Sequence, residues 1–172
     1  MRDIMEDPEL FKAGNAPERI RRPPREYKVV ALRDCPVPET LMSCVTPIDA
    51  STYWRLCIAT TPQFESERES FVTLLLTTRR RIKGHHVVAT GVMDTVNVHA
   101  REVFRTAIVA AAHSVVLMHN HPGGDPSPSD ADIRITRDLI RAGHLLRIEV
   151  LDHVIVGAAK HCSLRELGYF AV

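Results

Sequence analysis

Residues 114–132, SVVLMHNHPGGDPSPSDAD, constrain the fold of this chain more tightly than any other stretch. The apolar run SVVLM suits a strand buried on both faces. It leads into His119-Asn120-His121, and because side chains alternate along a strand, the two imidazoles share one face while Asn120 turns to the other. Seven residues rich in glycine and proline follow, with the dihedral freedom and the fixed angles that a chain reversal needs. The chain then enters a helix at Ser129-Asp130-Ala131-Asp132, whose first turn lets the Asp132 carboxylate swing back toward the histidines.

Two neutral imidazoles and one carboxylate make a three-ligand zinc site with a fourth position open to water, the arrangement that hydrolytic zinc uses. Each part also has a plainer reading. Ser129-x-x-Asp132 resembles a capping box, and a lone H-x-H is more often incidental than a ligand pair. The strand end, the histidine pair, the seven-residue loop and the S-x-x-D together point to a metal site.

Elements on either side fit one α/β domain. Residues 27–33 (YKVVALR) read as a first strand, after which prolines at 36, 38 and 47 enforce a loop. Residues from about 49 to 61 predict a helix capped by Asp49 or Ser51. Residues 71–77 (FVTLLLT) and 87–93 (VVATGVM) predict a hairpin joined through the basic turn 79–84. Residues 100–113 carry apolar positions at Val103, Phe104, Ala107, Ile108 and Ala111, the spacing of a helix with one buried face. A second helix spans 129–146, with Gly143 near its end. Residues 147–156 supply one further strand or a pair, and 163–167 a final helical turn.

At 172 residues, 45% apolar and 25% charged, the chain is large enough to bury a real core. Its 22 basic and 21 acidic side chains give a net charge of +1, so no whole-molecule field gathers nucleic acid or anionic lipid. Basic character is local, in the proline-bearing arm of residues 1–26 and in the arginine turn; both read most simply as solvated charge. Charges near residue 1 do not suit a secretory leader, and no apolar run approaches the ~20 residues of a membrane span, so a cytoplasmic protein is expected. Cys35, Cys44, Cys57 and Cys162 form no C-x-x-C pair and read as partly buried thiols.

His119-x-His121, seven residues, then Ser129-x-x-Asp132 resembles the signature of the JAB/MPN (JAMM) zinc metalloproteases. The wider HNHPGGDPSPSDADI is similar to the RadC-like branch, as are residues 99–108 (HAREVFRTAI) and 145–157 (LLRIEVLDHVIVG). The resemblance covers about residues 66–170. It implies a mixed, curved β-sheet flanked by helices, close in architecture to the cytidine deaminases, and Zn2+ held by His119, His121 and Asp132. It also implies hydrolysis of an amide, in a peptide or isopeptide substrate. A domain at 66–172 is thus expected, preceded by an extension at 27–65 that packs on the core.

Two departures stand out. Gly123 occupies a loop position where RadC-like proteins often carry serine, and residues 1–65 show no helix-hairpin-helix module, so DNA binding through such a module does not transfer.

Hydrolysis needs a group that takes the water's proton and delivers it to the leaving amine. The family supplies a glutamate from upstream, and Glu69 is the positional match. Glu102 is the runner-up, although near a helix N-terminus it also simply complements the dipole. The resemblance gives Ser129 a second role, stabilising the oxyanion, and draws in His153 either as a support behind the ligands or as a structural histidine.

Other classes fare less well. A nucleoside deaminase would need H-x-E followed by P-C-x-x-C, which is missing. HNH nucleases spread their histidines and asparagine through a ββα unit, whereas here they are consecutive. The remaining alternative is a non-enzymatic, metal-stabilised module acting in DNA-associated processes, for which only the arm and the arginine turn offer phosphate contacts.

Overall fold

A computed structural model describes residues 31–91 and 98–171. Helix α1 (Pro47–Tyr53) continues into a π turn (Trp54–Ile58). The hairpin β1 (Glu69–Leu76) and β2 (Ile82–Gly91) leads to α2 (Ala100–Val109), β3 (Ser114–Asn120), α3 (Asp130–Leu146), β4 (Glu149–Val156) and the short β5 (His161–Ser163). The fold is α+β, a five-stranded mixed sheet in the order β2-β1-β3-β4-β5 with helices against it. Among the described residues only the β3–β4 pair is parallel, because α3 carries the chain across between them.

Alternation along the strands divides the core in two. Val72, Leu74, Leu76, Val116, Met118, Val154 and Val156 face one side and pack with Tyr53, Trp54, Cys57 and Ile58 from α1 and its π turn. Phe71, Leu75, Val115, Leu117 and Val150 face the other side, where Val103, Phe104 and Ala107 of α2 and Leu139 and Ile140 of α3 cover them. The register shift in the β3–β4 pairing sets Val115 opposite Val150 but Val116 opposite Asp152. The extra residue reverses the alternation of β4, so His153 faces the same layer as Val150 rather than the opposite one.

Several boundaries differ from the sequence expectations. The first helix starts at Pro47 rather than about 49, and its cap is Thr46, not Asp49 or Ser51. The Thr46 hydroxyl accepts from Asp49 N while the Asp49 carboxylate accepts from Thr46 N, a full capping box with proline at the first helical position. The helix gives way to the π turn and ends at Ile58, short of residue 61. Strand β2 takes up Ile82, Lys83 and Gly84 from the expected turn, and residues 92 and 93 of the expected strand lie outside the described residues. Helix α2 stops at Val109 instead of 113, since Ala111 adopts φ 47° and the chain turns into β3. Of the expected first strand, residues 27–30 lie outside the described residues and 31–33 form no strand.

Gly143 lies inside α3, where an added Cβ would press on the Ile148 carbonyl; the left-handed cap is Arg147.

Candidate metal centre

The sheet ends where β3 runs out, and its last residues build the site. His119 lies opposite Phe71 of β1, with the two rings stacked at 6.0 Å. Beyond β3, the His121 amide donates to the Val156 carbonyl, which extends the parallel pairing by one residue. The loop then reverses at Gly124, whose φ of +82° favours glycine, and lies against the end of β4. Gly157 permits that approach, because a Cβ there would collide with the Gly124 carbonyl.

His119, His121 and Asp132 come together: one potential ligand atom from each lies within 4.8 Å of the others. His119 Nε2 is 3.0 Å from His121 Nε2 and 3.3 Å from Asp132 Oδ1, and His121 Nε2 is 3.6 Å from Asp132 Oδ2. Asp132 reaches the histidines because it is the third residue of a capping box. Ser129 N (2.8 Å) and Oγ (2.6 Å) both donate to its Oδ2, and Asp132 N donates back to Ser129 Oγ at 3.2 Å. Cap and ligand readings of the S-x-x-D motif thus coexist in one carboxylate.

The electrostatics follow from burial. His119 is fully buried, which pushes its pKa down to about 4 against the opposing pull of Asp132. His153, equally buried, is also held well below the ordinary range. His121 is half-buried and moves up, chiefly because the Asp132 carboxylate beside its Nε2 favours the charged ring. Burial alone would raise the Asp132 carboxyl, but bonding with His121, the neighbouring His119 and the Ser129 donors outweigh it and hold it well below the usual range.

The donor set fits a divalent cation. His121 Nδ1 lies 2.8 Å from the Asp125 carbonyl, which can only accept, so Nδ1 carries a proton and the neutral ring leaves its lone pair on Nε2. That lone pair points at a second imidazole nitrogen and a carboxylate. Three electron-pair donors converging on one point are stabilised by a shared positive charge, and two imidazoles with a carboxylate suit a first-row divalent metal.

Of the two candidate bases, the fold brings Glu69 to the cluster, with Oε1 3.9 Å from His119 Nε2. Glu102 lies on α2 in ion pairs with Arg105 (3.0 Å) and Arg101 (3.5 Å).

Two further residues support the site without having stood out in the sequence. Asn120, turned away from the histidines, accepts from Ser70 N at 2.9 Å and donates to the Arg68 carbonyl at 3.0 Å, gripping the chain on both sides of Glu69. Thr136 lies behind the site, bonded to His153 Nδ1 (2.6 Å), and His153 Nε2 in turn meets His119 Nδ1 (2.8 Å). The middle position of H-x-H, next to a strand end, is a signal that could have directed attention to Asn120. Thr136 sits one turn beyond Asp132, a spacing that carries meaning only once His153 is placed.

Sheet order, helix placement and a His-His-Asp cluster at the end of a central strand define a JAB-like α+β domain with a candidate metal site. The family model for the RadC-like JAB domain matches residues 47–169, and the chain belongs to that family. It is 44% identical over 105 residues to a UPF0758 protein of Methanosarcina barkeri, covering 61% of this chain and 46% of the relative. A UPF0758 protein of Caldanaerobacter subterraneus is 44% identical over 103 residues, 60% of this chain and 44% of the relative. One from Bacillus cereus is 44% identical over 103 residues, with shares of 60% and 46%. The chain thus spans less than half the length of these curated relatives.

Proposed function

We propose that the domain is a zinc-dependent hydrolase of amide bonds, in a peptide or isopeptide substrate. His119, His121 and Asp132 hold the metal, Glu69 is the general base and Ser129 assists at the oxyanion. The observation that carries this reading is the convergence of three ligand atoms within 4.8 Å, with the Glu69 carboxylate 3.9 Å from His119 Nε2.

Bound there, zinc supplies a Lewis acid and a water whose pKa falls toward neutrality. The protein's own groups do the rest. Glu69 accepts a proton from the attacking water on its carboxylate and delivers it to the nitrogen of the leaving amine. Asn120 keeps Glu69 beside His119 by bonding the backbone on either side of it. The Ser129 hydroxyl rotates from Asp132 to the developing oxyanion, while Ser129 N continues to hold the Asp132 carboxylate.

Free Cys35, Cys44, Cys57 and Cys162 accord with a reducing compartment, and we place the protein in the cytoplasm. Among the described residues no helix is long and apolar enough to cross a membrane.

Elemental analysis of the purified protein tests the metal reading: about one zinc per chain is expected, with strong loss in His119→Ala and in Asp132→Ala. Undiminished zinc in the His119→Ala, His121→Ala double variant would place the metal elsewhere.

A further inference from the structure

The hydrogen bonds behind His119 run in one direction only. The Asp132 carbonyl has no hydrogen to give, so the single Thr136 hydroxyl hydrogen goes to it, across 2.5 Å. The Thr136 oxygen therefore accepts at its other contact, and His153 Nδ1, 2.6 Å away, carries the donated hydrogen. A neutral His153 then presents its bare Nε2 to His119 Nδ1 at 2.8 Å, which makes that nitrogen the donor. His119 is left with its lone pair on Nε2, the atom that faces His121 and Asp132. All three side chains are wholly buried, so no water competes for these bonds.

We propose that Thr136 and His153 form a positioning relay that fixes His119 in the tautomer able to bind a metal through Nε2. It rests on the metal reading above. The relay begins and ends at ligands: Asp132 supplies its carboxylate to the site and its carbonyl to Thr136. The turn of α3 that aims the carboxylate thereby also orients the His119 ring across the sheet. The β4 bulge is what brings His153 to this face. The carboxylate-to-histidine bond that commonly supports a metal ligand is replaced here by a second, neutral histidine and a threonine.

The test uses two readouts on the intact chain. Nitrogen-15 correlation spectra of the metal-free wild type report which His119 nitrogen is protonated; the relay requires Nδ1–H, and an Nε2–H ring would overturn it. Zinc affinity, by competition with a chelating indicator, is then compared across variants. Thr136→Val keeps the shape but cannot accept from His153 and is expected to weaken zinc roughly tenfold or more, while Thr136→Ser restores it. His153→Leu should weaken zinc further, and His153→Gln, whose amide oxygen can accept from His119, should recover part of the loss. A lower melting temperature with unchanged zinc affinity in Thr136→Val and His153→Leu would reduce both residues to core packing and overturn the proposal. A wild type with the Nδ1–H tautomer but no zinc binding would overturn the metal reading instead, since the spectra are taken without metal.

Discussion

Asn120 holds Glu69 by the backbone on both sides: its Oδ1 accepts from Ser70 N and its Nδ2 donates to the Arg68 carbonyl. The residue between the two histidines thus extends the β3–β1 ladder with its side chain, and the strand that carries the ligands also locates the proposed base.

Asn120→Ala should therefore separate base from metal. Zinc content is expected to stay near one per chain, with kcat reduced about tenfold or more and KM little changed, because the carboxylate loses its placement while the ligands keep theirs. A stability cost of about 1–3 kcal/mol is expected from the unsatisfied backbone groups left behind. Turnover, zinc content and denaturation curves check it; unchanged kcat in the folded variant would remove the positioning role.

Ser129 combines two roles that one substitution can separate. Ser129→Ala should retain metal, lower stability by ~1 kcal/mol through the lost cap, and lower kcat on the order of 100-fold through the lost oxyanion donor. Melting curves read the first effect and turnover the second. Loss of stability with normal turnover, measured where the variant stays folded, would leave Ser129 as a helix cap alone.

Metal-free protein should lose stability as the pH falls below 6.5. Burial pushes the His119 pKa down to about 4 in the folded chain from about 6.5 in the unfolded one, so between those values the unfolded chain binds more protons. Its stabilisation is complete above the unfolded value and is lost as pH falls toward the folded one. His153 acts in the same sense. His121, whose pKa is raised, acts oppositely: its contribution is full below 6.5 and fades as pH rises through its folded value. Two buried rings act against one partly buried ring, and His119 alone accounts for a loss on the order of 2 kcal/mol between pH 7.5 and 5. Chemical denaturation of chelator-treated protein at both pH values checks it; equal or greater stability at pH 5 would contradict the direction.

The sequence revealed the site better than it revealed the boundaries around it. H-x-H at a strand end and S-x-x-D at a helix start depend on local geometry alone, which is why His119, His121 and Asp132 meet as their spacing suggested. Thr46 as cap was equally local, and Thr46-Pro47-Ile48-Asp49 has the required pattern, but Pro47 reads as a helix breaker as readily as a first helical residue. The end of α2 depends on the left-handed turn at Ala111, a position where no glycine announced it. The contact between His153 and His119 depends on a one-residue bulge in β4, and strict alternation in the sequence would have turned His153 to the other core layer. The bulge sets His153 against His119, and the relay proposed above takes it as a support for that ligand.

The central claim, hydrolysis with Glu69 as base, is tested most directly by turnover on a library of cleavable amides. The zinc-loaded wild type, Glu69→Gln and Glu102→Gln are assayed with matched zinc content and melting temperature. The account predicts turnover by the wild type, a loss of about 100-fold or more in Glu69→Gln with zinc and fold retained, and near-normal activity in Glu102→Gln, whose carboxylate pairs with arginines on α2. Full activity in Glu69→Gln with loss in Glu102→Gln would transfer the base to Glu102. Inactivity of the zinc-loaded wild type on every amide would contradict the hydrolase claim and leave a metal-stabilised binding module in its place.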